Sequence, residues 1–234
     1  MSDLFPLTLD QVVVRRRKKR VIGPVDLTVQ NGGPLIILGP NGSGKTTLLR
    51  VMHGVERING GQVTWACDRP DQHAFVFQSP IIMRRTVAEN LAYPLRLIRA
   101  PKAEIAAAVT RWLDRIGLTE HAQGPASRLS GGERQKLALA RALIRDPAVL
   151  FLDEPCANLD GHATRDIEAL LQETAAAGTR LIMATHDMGQ ARRLAHSVVF
   201  MRDGKVHETG AAEDCFQTPQ TEAFAAFLRG DIVT

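Results

Sequence analysis

Apolar positions along the chain fall into two rhythms that alternate from end to end. Leu7–Val14 and Val21–Val29 are rich in β-branched residues and partly alternate, which predicts two strands. The short run PLIILG ends in glycine, the pattern of a buried strand feeding a loop. From Lys45 to about Val55 the rhythm turns helical, with Leu48, Leu49 and Met52 on one side. QVTW and HAFVF predict further strands.

The middle has a different texture. Thr86–Ile98 and Lys102–Ile116 predict helices, the second with Val109, Trp112, Leu113 and Ile116 at i, i+3, i+4 and i+7. Pro101 suits the first turn of that second helix. Gly117 and HAQGPAS interrupt the pattern, and Glu133–Arg145 resumes it. Three helices with no strand between them predict an inserted helical subdomain.

Afterwards strand and helix alternate again. AVLFLDEP is an apolar strand ending in two carboxylates, and His162–Ala177 is a helix with Ile167, Leu170 and Leu171 inward. RLIMATHD predicts a strand and turn, and SVVFMRDGKVHETG two strands joined by Asp-Gly. Such alternation means a mainly parallel sheet covered by helices, an α/β fold. No internal repeat or low-complexity linker interrupts it.

Composition narrows this picture only slightly. The 234 residues suffice for one α/β domain carrying a sizeable insertion. At 44% hydrophobic and 23% charged, the balance is that of a soluble globular chain. No stretch approaches the roughly 18 apolar residues of a membrane span, and MSDLFPLTLD lacks a signal pattern. A cytoplasmic protein with at most a peripheral membrane role is expected. Cys67, Cys156 and Cys215 have neither disulfide-framework nor zinc spacing. The net charge is +4, but the run RRRKKR from Arg15 to Arg20 holds six cations, and without it the balance is two units negative. A general nucleic-acid footprint is therefore not supported. The run itself could be a nucleic-acid or anionic-lipid patch, yet its place between two strands favours a solvated hairpin turn.

The chemistry begins at Gly39-Pro40-Asn41-Gly42-Ser43-Gly44-Lys45-Thr46, which matches G-x-x-x-x-G-K-[ST] between a predicted strand and helix. Glycines let backbone N–H groups turn toward phosphate oxygens, and the helix N-terminus adds partial positive charge. Gly39, Asn41, Gly42, Ser43, Gly44, Lys45, Thr46 and the next residue, Thr47, form the expected phosphate-holding set. Lys45 would neutralise the β- and γ-phosphates, and the Thr46 hydroxyl would bind Mg²⁺. At the end of a buried strand, Asp153 is the expected Mg²⁺ partner and Glu154 the group that orients or deprotonates an attacking water.

In order, GPNGSGKT, Gln78 in VFQSP, LSGGERQK, LFLDEP, Ala157-Asn158-Leu159-Asp160 and His186 in ATHD resemble an ATP-binding cassette ATPase, the nucleotide-binding subunit of ABC transporters. The resemblance runs from the first strands to about Gly210. It implies one domain, with a nucleotide-binding core at 1–78 and 146–234 and an inserted helical subdomain at 79–145. That fold is a P-loop NTPase core of mainly parallel sheet with an N-terminal antiparallel β subdomain. It further implies that two chains pair head to tail, each ATP lying between the phosphate loop of one and Ser130, Gly131 and Gly132 of the other. Gln78 would touch Mg²⁺ or the attacking water, His186 the γ-phosphate, and Asp160 would lie across the dimer interface. Gln78, Glu154 and His186 are thus the expected catalytic set, and Thr46, Gln78 and Asp153 the expected Mg²⁺ ligands.

The resemblance also implies partners: a homodimer at the cytoplasmic face of the cell (inner) membrane, a separate permease, and an extracytoplasmic solute-binding protein. No nucleic-acid partner is implied. SPIIMRRTVAENL would line a groove for a coupling helix of the permease. A chain ending near Thr234 is expected to lack the C-terminal regulatory domain that some sugar importers carry, and two stretches look closest to oxyanion importers, particularly tungstate-type ones. An export or lipoprotein-release ATPase, a soluble ATP-driven clamp on DNA or ribosomes, and an ATP-sensing module are the rivals. One departure stands out: where the family places an adenine-stacking aromatic ring this chain has the basic run near Arg16 or Arg17, so either a guanidinium stacks on the base or the base is held loosely. Cys156 departs as well, and is expected to be a small packed side chain.

Overall fold

The computed structural model describes residues 3–17 and 19–231; Lys18 of the basic run and the residues at either extremity lie outside the described residues. In β1 (Leu7–Arg16) the inward positions are Leu7, Leu9, Val12 and Val14. Alternation slips by one residue at Gln11, whose positive φ of 48° marks a bulge, and this is why the sequence pattern is only partial. β2 (Lys19–Val29) returns antiparallel to β1, so the basic run does turn a hairpin. Then come β3 (Leu35–Leu38), α1 (Lys45–His53), β4 (Gly60–Trp65) and β5 (His73–Val76). α1 stops short of the predicted Val55 because Gly54, at φ 91°, takes the left-handed cap.

Three helices follow without a strand between them: α2 (Val87–Leu97), α3 (Lys102–Arg115) and α4 (Gly131–Leu143). Thr86 and Glu89 close a capping box at α2, and Ser130 and Glu133 do the same at α4. Pro101 stands one residue before α3 and not in its first turn. α4 begins two residues before the predicted Glu133. Gly131 and Gly132, poor helix formers, are kept in its first turn, where a Cβ on Gly132 would meet the Ala163 Cβ at 2.9 Å.

The chain then supplies β6 (Val149–Asp153), α5 (Gly161–Ala176), β7 (Arg180–Ala184), α6 (Met188–Leu194), β8 (Ser197–Arg202), β9 (Lys205–Ala211), α7 (Ala212–Gln217) and α8 (Glu222–Arg229). Asp203 and Gly204 join β8 to β9 with both φ positive, at 51° and 73°, as an Asp-Gly hairpin requires.

Two sheets result. One is antiparallel, ordered β2-β1-β4; the other is ordered β5-β6-β7-β3-β8-β9 and is parallel except for β9. In the large sheet the inner strands β3, β6 and β7 are buried on both faces, so alternate residues of one strand serve different cores. Leu150 and Leu152 face the cluster that holds α2–α5, while Val149 and Phe151 face the cluster shared with α1 and the antiparallel sheet. This is the mainly parallel P-loop architecture with an N-terminal antiparallel β layer and an inserted helical portion. Complete burial of Phe151, at 0% exposed, contributes about 1.5–3 kcal/mol.

Around Phe151 the second core contains two histidines. The His53 ring lies 6.1 Å from His73, and each meets Phe151 edge-on. His53 Nδ1 and both nitrogens of His73 are buried without a hydrogen-bond partner. Burial, and secondarily His73, pulls the His53 imidazole down to about 4; burial also lowers His73. An unfolded histidine protonates near 6.5, so between about pH 6.5 and 4 the unfolded chain binds more protons than the folded one. Stability is full above that window and is lost as pH falls through it. The urea midpoint is therefore expected to stay level from pH 8 to 7 and to drop as the pH is lowered below 6.5. His53→Phe should flatten part of that slope; an unchanged slope assigns it to other groups.

Candidate functional site

The loop between β3 and α1 is pressed against the rest of the fold. A Cβ on Gly39 would meet the Met201 carbonyl oxygen at 2.1 Å, and one on Gly44 would meet Ile22 Cγ2 at 2.5 Å. Their φ angles, 150° and 101°, also exclude most side chains. Gly204 N donates to the Ser43 carbonyl (3.1 Å), so the β8–β9 hairpin supports the loop from below.

On this support Lys45 is buried, and Nζ donates to the carbonyls of Gly39 (2.8 Å) and Pro40 (3.1 Å). Glu154 Oε1 lies 4.0 Å away. Burial lowers the Lys45 pKa, opposed by the charges of Glu154 and Asp153. Thr46 Oγ1 donates to Asp153 Oδ1 at 2.7 Å, and Arg50 approaches the other oxygen at 3.7 Å. Burial raises the Asp153 pKa, against the Thr46 hydrogen bond and Arg50.

Glu154 stands just past β6 with a left-handed φ of 47°, a costly conformation for a residue with a side chain. Its N–H donates to the Ala184 carbonyl at 2.9 Å, which ties the end of β6 to β7. His186, just beyond β7, places Nδ1 2.9 Å from Glu154 Oε2.

Asn41, Gly42, Gly44, Lys45, Thr46 and Thr47 share one cleft of about 420 Å³ with Gln78, Glu154 and His186. Gly39, Ser43 and Asp153 brace it, and the Ser43 hydroxyl is buried with no partner among the described residues. A polar cleft at the carboxyl ends of β3, β6 and β7, against a helix N-terminus, suits the phosphates of a nucleotide. The donors also suit Mg²⁺, which needs few protein oxygens beyond those of a bound phosphate. Thr46, Asp153 and Gln78 are oxygen-bearing side chains at that spot.

The other predicted residues form a second group. Ser130 Oγ accepts from Glu133 N (3.3 Å), and Glu133 accepts from Ser130 N (2.7 Å), which holds the Glu133 carboxyl below its usual range. Asp160 caps α5 by accepting from His162 N and Ala163 N. Gly132 abuts Ala163, so the starts of α4 and α5 lie side by side. None of Ser130, Gly131, Gly132 or Asp160 lines the cleft. Arg16, a candidate for base contact, ion-pairs with Glu56 at 2.6 Å near the end of its hairpin, whereas Val21 reaches the cleft.

Sequence reasoning missed Val21, Arg50 and Gly204. A basic residue amid the α1 helix was the one available signal for Arg50, and it is indistinguishable from a surface charge. A larger cavity, about 770 Å³, lies elsewhere, between α2 and α3, with exposed Arg96, Arg99 and Lys102 at its rim.

Comparison with known proteins agrees with this geometry. Residues 22–157 match the family model described as ABC transporter. The chain is 38% identical over 221 residues to the sulfate/thiosulfate import ATP-binding protein of Agrobacterium fabrum, covering 88% of this chain and 64% of that one. It is 37% identical over 236 residues to the Fe(3+) ions import ATP-binding protein of Streptomyces avermitilis, covering 97% and 68%. To the spermidine/putrescine import ATP-binding protein of Chromobacterium violaceum it is 34% identical over 232 residues, covering 95% and 64%. The chain thus spans about two thirds of the length of these relatives, and slightly less for the first and last.

Beside the acid pair, Cys156 is held among α5 and α6, where Glu168 accepts two hydrogen bonds from Arg193 (2.6 and 2.7 Å). Burial pushes the Cys156 thiol up to about 11 and also raises Cys215, while Cys67 is exposed. Reactivity follows the thiolate. At pH 8 a chromogenic disulfide reagent is expected to titrate one fast thiol in the native protein and three after denaturation, and Cys67→Ser should abolish the fast phase. Fast modification of Cys156 would overturn its reading as a packed side chain.

Proposed function

The chain belongs to the ABC transporter family, and from that premise we propose that it is the ATP-hydrolysing subunit of an importer, working as a homodimer on the cytoplasmic face of the cell (inner) membrane. In this reading residues 1–234 form one ATPase domain, with 79–145 as the inserted helical part. One observation carries the proposal: Lys45, Thr46, Asp153, Glu154 and His186 converge on one cleft while Ser130, Gly131 and Gly132 stand outside it. The cleft is then half a site.

Phosphoryl transfer needs positioning and charge stabilisation more than covalent help. Two of the three Lys45 donors are taken by Gly39 and Pro40, which aims the third at the β- and γ-phosphates. Backbone N–H groups of the loop from Gly39 to Thr47 hold the remaining phosphate oxygens. Mg²⁺, when bound by Thr46, Asp153 and Gln78, supplies neutralisation of the phosphate charge. Water attacks the γ-phosphorus, the bond to the β-phosphate oxygen breaks, and Glu154 takes the proton, giving ADP and phosphate. His186, 2.9 Å from Glu154, would contact the γ-phosphate.

The first-turn N–H groups of Gly131 and Gly132 have no intrahelical acceptor in any α-helix. They, with Ser130, would take the γ-phosphate held by the other chain, and Asp160 would lie at the same interface. ATP then binds the closed pair better than separate chains, so binding closes the dimer and hydrolysis releases it. Glu154→Gln is expected to retain ATP and to elute as a dimer in MgATP, with hydrolysis reduced at least 100-fold. Lys45→Ala should bind nucleotide at least tenfold more weakly and stay monomeric. A Glu154→Gln protein hydrolysing at the wild-type rate removes the base role, and one that binds MgATP fully as a monomer removes the half-site.

The membrane partner would dock beside Gln78. Phe77, Pro80, Ile81, Tyr93, Leu97 and Arg141 contribute to a groove of about 380 Å³, in which Ile81 and Leu97 are 61% and 63% exposed. Buried Asn90 fixes its edge by accepting from Met83 N (3.0 Å) and donating to the Met83 and Thr86 carbonyls, and Arg141 donates to the Ile81 carbonyl. An apolar helix of a permease fits this groove. Import rather than export is supported by the relatives' names, and it brings an extracytoplasmic solute-binding protein as a third partner; no nucleic-acid partner is proposed. The cargo is proposed to be a small solute. The tungstate-type reading rests on local sequence alone, since the relatives are named for an oxyanion, a metal ion and polyamines. Leu97→Asp is expected to lower co-purification of the permease at least tenfold, and unchanged recovery would overturn the groove assignment.

A further inference from the structure

Arg180 opens β7, at the end of the parallel sheet opposite the cleft. It is 5% exposed, yet no carboxylate among the described residues pairs with it. Nη2 donates to the Gln30 carbonyl at 3.2 Å, and the Phe5 ring faces the guanidinium at 5.8 Å. Nε and Nη1 are buried with no hydrogen-bond partner among the described residues. Burial without a counter-charge lowers even this guanidinium, to about 10.

The side chain borders a cavity of about 230 Å³ whose walls include Asn31, Gly32, His196 and Thr209 and contain no aspartate or glutamate. A Cβ on Gly32 would stand 3.9 Å from Arg180 Nη1 and 4.0 Å from His196 Nε2. The two nitrogens therefore border the same gap, kept open because position 32 has no side chain. Gly33 serves the same end, since a Cβ there would collide with His196 Cβ at 2.7 Å. His196 is exposed and gives the cavity its mouth.

A buried charge is costly unless it is paired and hydrogen-bonded. Water would satisfy the N–H groups but leave the charge uncompensated. An oxyanion in the gap beside Nη1 does both, since one of its oxygens accepts from Nη1 while its charge offsets that of the guanidinium. We propose that the Arg180–His196 cavity binds a small tetrahedral oxyanion, inorganic phosphate or sulfate, at a site separate from the nucleotide cleft. Six residues of extended chain at about 3.3 Å each separate Arg180 from His186, roughly 20 Å, so both sites can be filled together. Phosphate at neutral pH keeps an O–H that needs an acceptor and sulfate has none, so the preferred anion reports which of the two the site is made for.

The test is calorimetric titration of the full chain with phosphate and, separately, with sulfate, in the wild type and in Arg180→Met, which removes the charge but retains a chain of similar reach. Saturable binding at least tenfold weaker in Arg180→Met supports the site. Because the phosphate loop can also hold such anions, position is read independently in a wild-type crystal soaked in selenate. An anomalous peak about 4 Å from Arg180 Nη1, where the selenium sits when one of its oxygens accepts a hydrogen bond from that nitrogen, confirms the site even if the variant fails to fold. A peak confined to the loop from Gly39 to Thr47, or equal affinity in wild type and Arg180→Met, overturns it. Neither readout involves hydrolysis, so failure here leaves the proposed ATPase untouched, and failure of that ATPase leaves this site standing.

Discussion

A positive charge buried at the first residue of α1, just past the inner strand β3, organises the cleft. Taking an ammonium out of water costs several kcal/mol even after relaxation, and Lys45 is buried. Two carbonyls of its own loop and the acids Glu154 and Asp153 hold it in place. Each compensation constrains something further. The carbonyls reach Nζ only because the loop folds back tightly, which requires glycine against Met201 and Ile22. Glu154 reaches Lys45 and His186 together from a strained backbone, held there by its bond to Ala184. An anion entering the cleft therefore meets a charge whose solvation has already been removed, and the interaction is stronger for it.

The same sheet edge carries contacts outward to the apolar groove. Phe77 lines the groove and Gln78 the cleft, neighbours on the chain that serve opposite sides. The Phe77 ring also meets the Arg50 guanidinium at 5.8 Å, and Arg50 approaches Asp153, which holds Thr46. A partner pressing on the groove would thus reach Thr46 and Asp153, the corner proposed to hold Mg²⁺, through three side chains. Contact alone is not coupling; that requires an element with two stable arrangements. Two half-sites that close only around nucleotide would provide it, with the groove moving as the helices α2–α4 move.

How much of this could be read from sequence depended on whether a residue's role fixes its type. The phosphate loop was legible because glycine, lysine and threonine are each required at a set spacing. The acid pair was legible because two carboxylates at the end of an apolar strand have few structural uses. The slip at Gln11 was not, since a bulge depends on the partner strand and on nothing local to β1. The start of α4 was placed late because helix propensity argues against Gly131 and Gly132, whereas packing against Ala163 demands a small residue. The short helices α6, α7 and α8 went unread, since six to eight residues carry too few turns to show a period. The burial of Arg180 was equally hidden, because an arginine at a strand start looks like any solvated charge.

Lys45 and Arg180 show two ways for one sheet to hold a buried cation. Arg180 opens a strand and Lys45 opens the helix that follows one; both are nearly removed from solvent, and burial lowers both. At Lys45 the fold supplies carbonyls and carboxylates, so the charge is tolerated while the cleft is open. At Arg180 it supplies one carbonyl, an aromatic face and a gap kept clear by glycine. A packing role alone would be met by an uncharged side chain, without the cost of two unsatisfied donors. The economical account is that the missing partner comes from outside the chain, and that the parallel sheet holds an anion at each end.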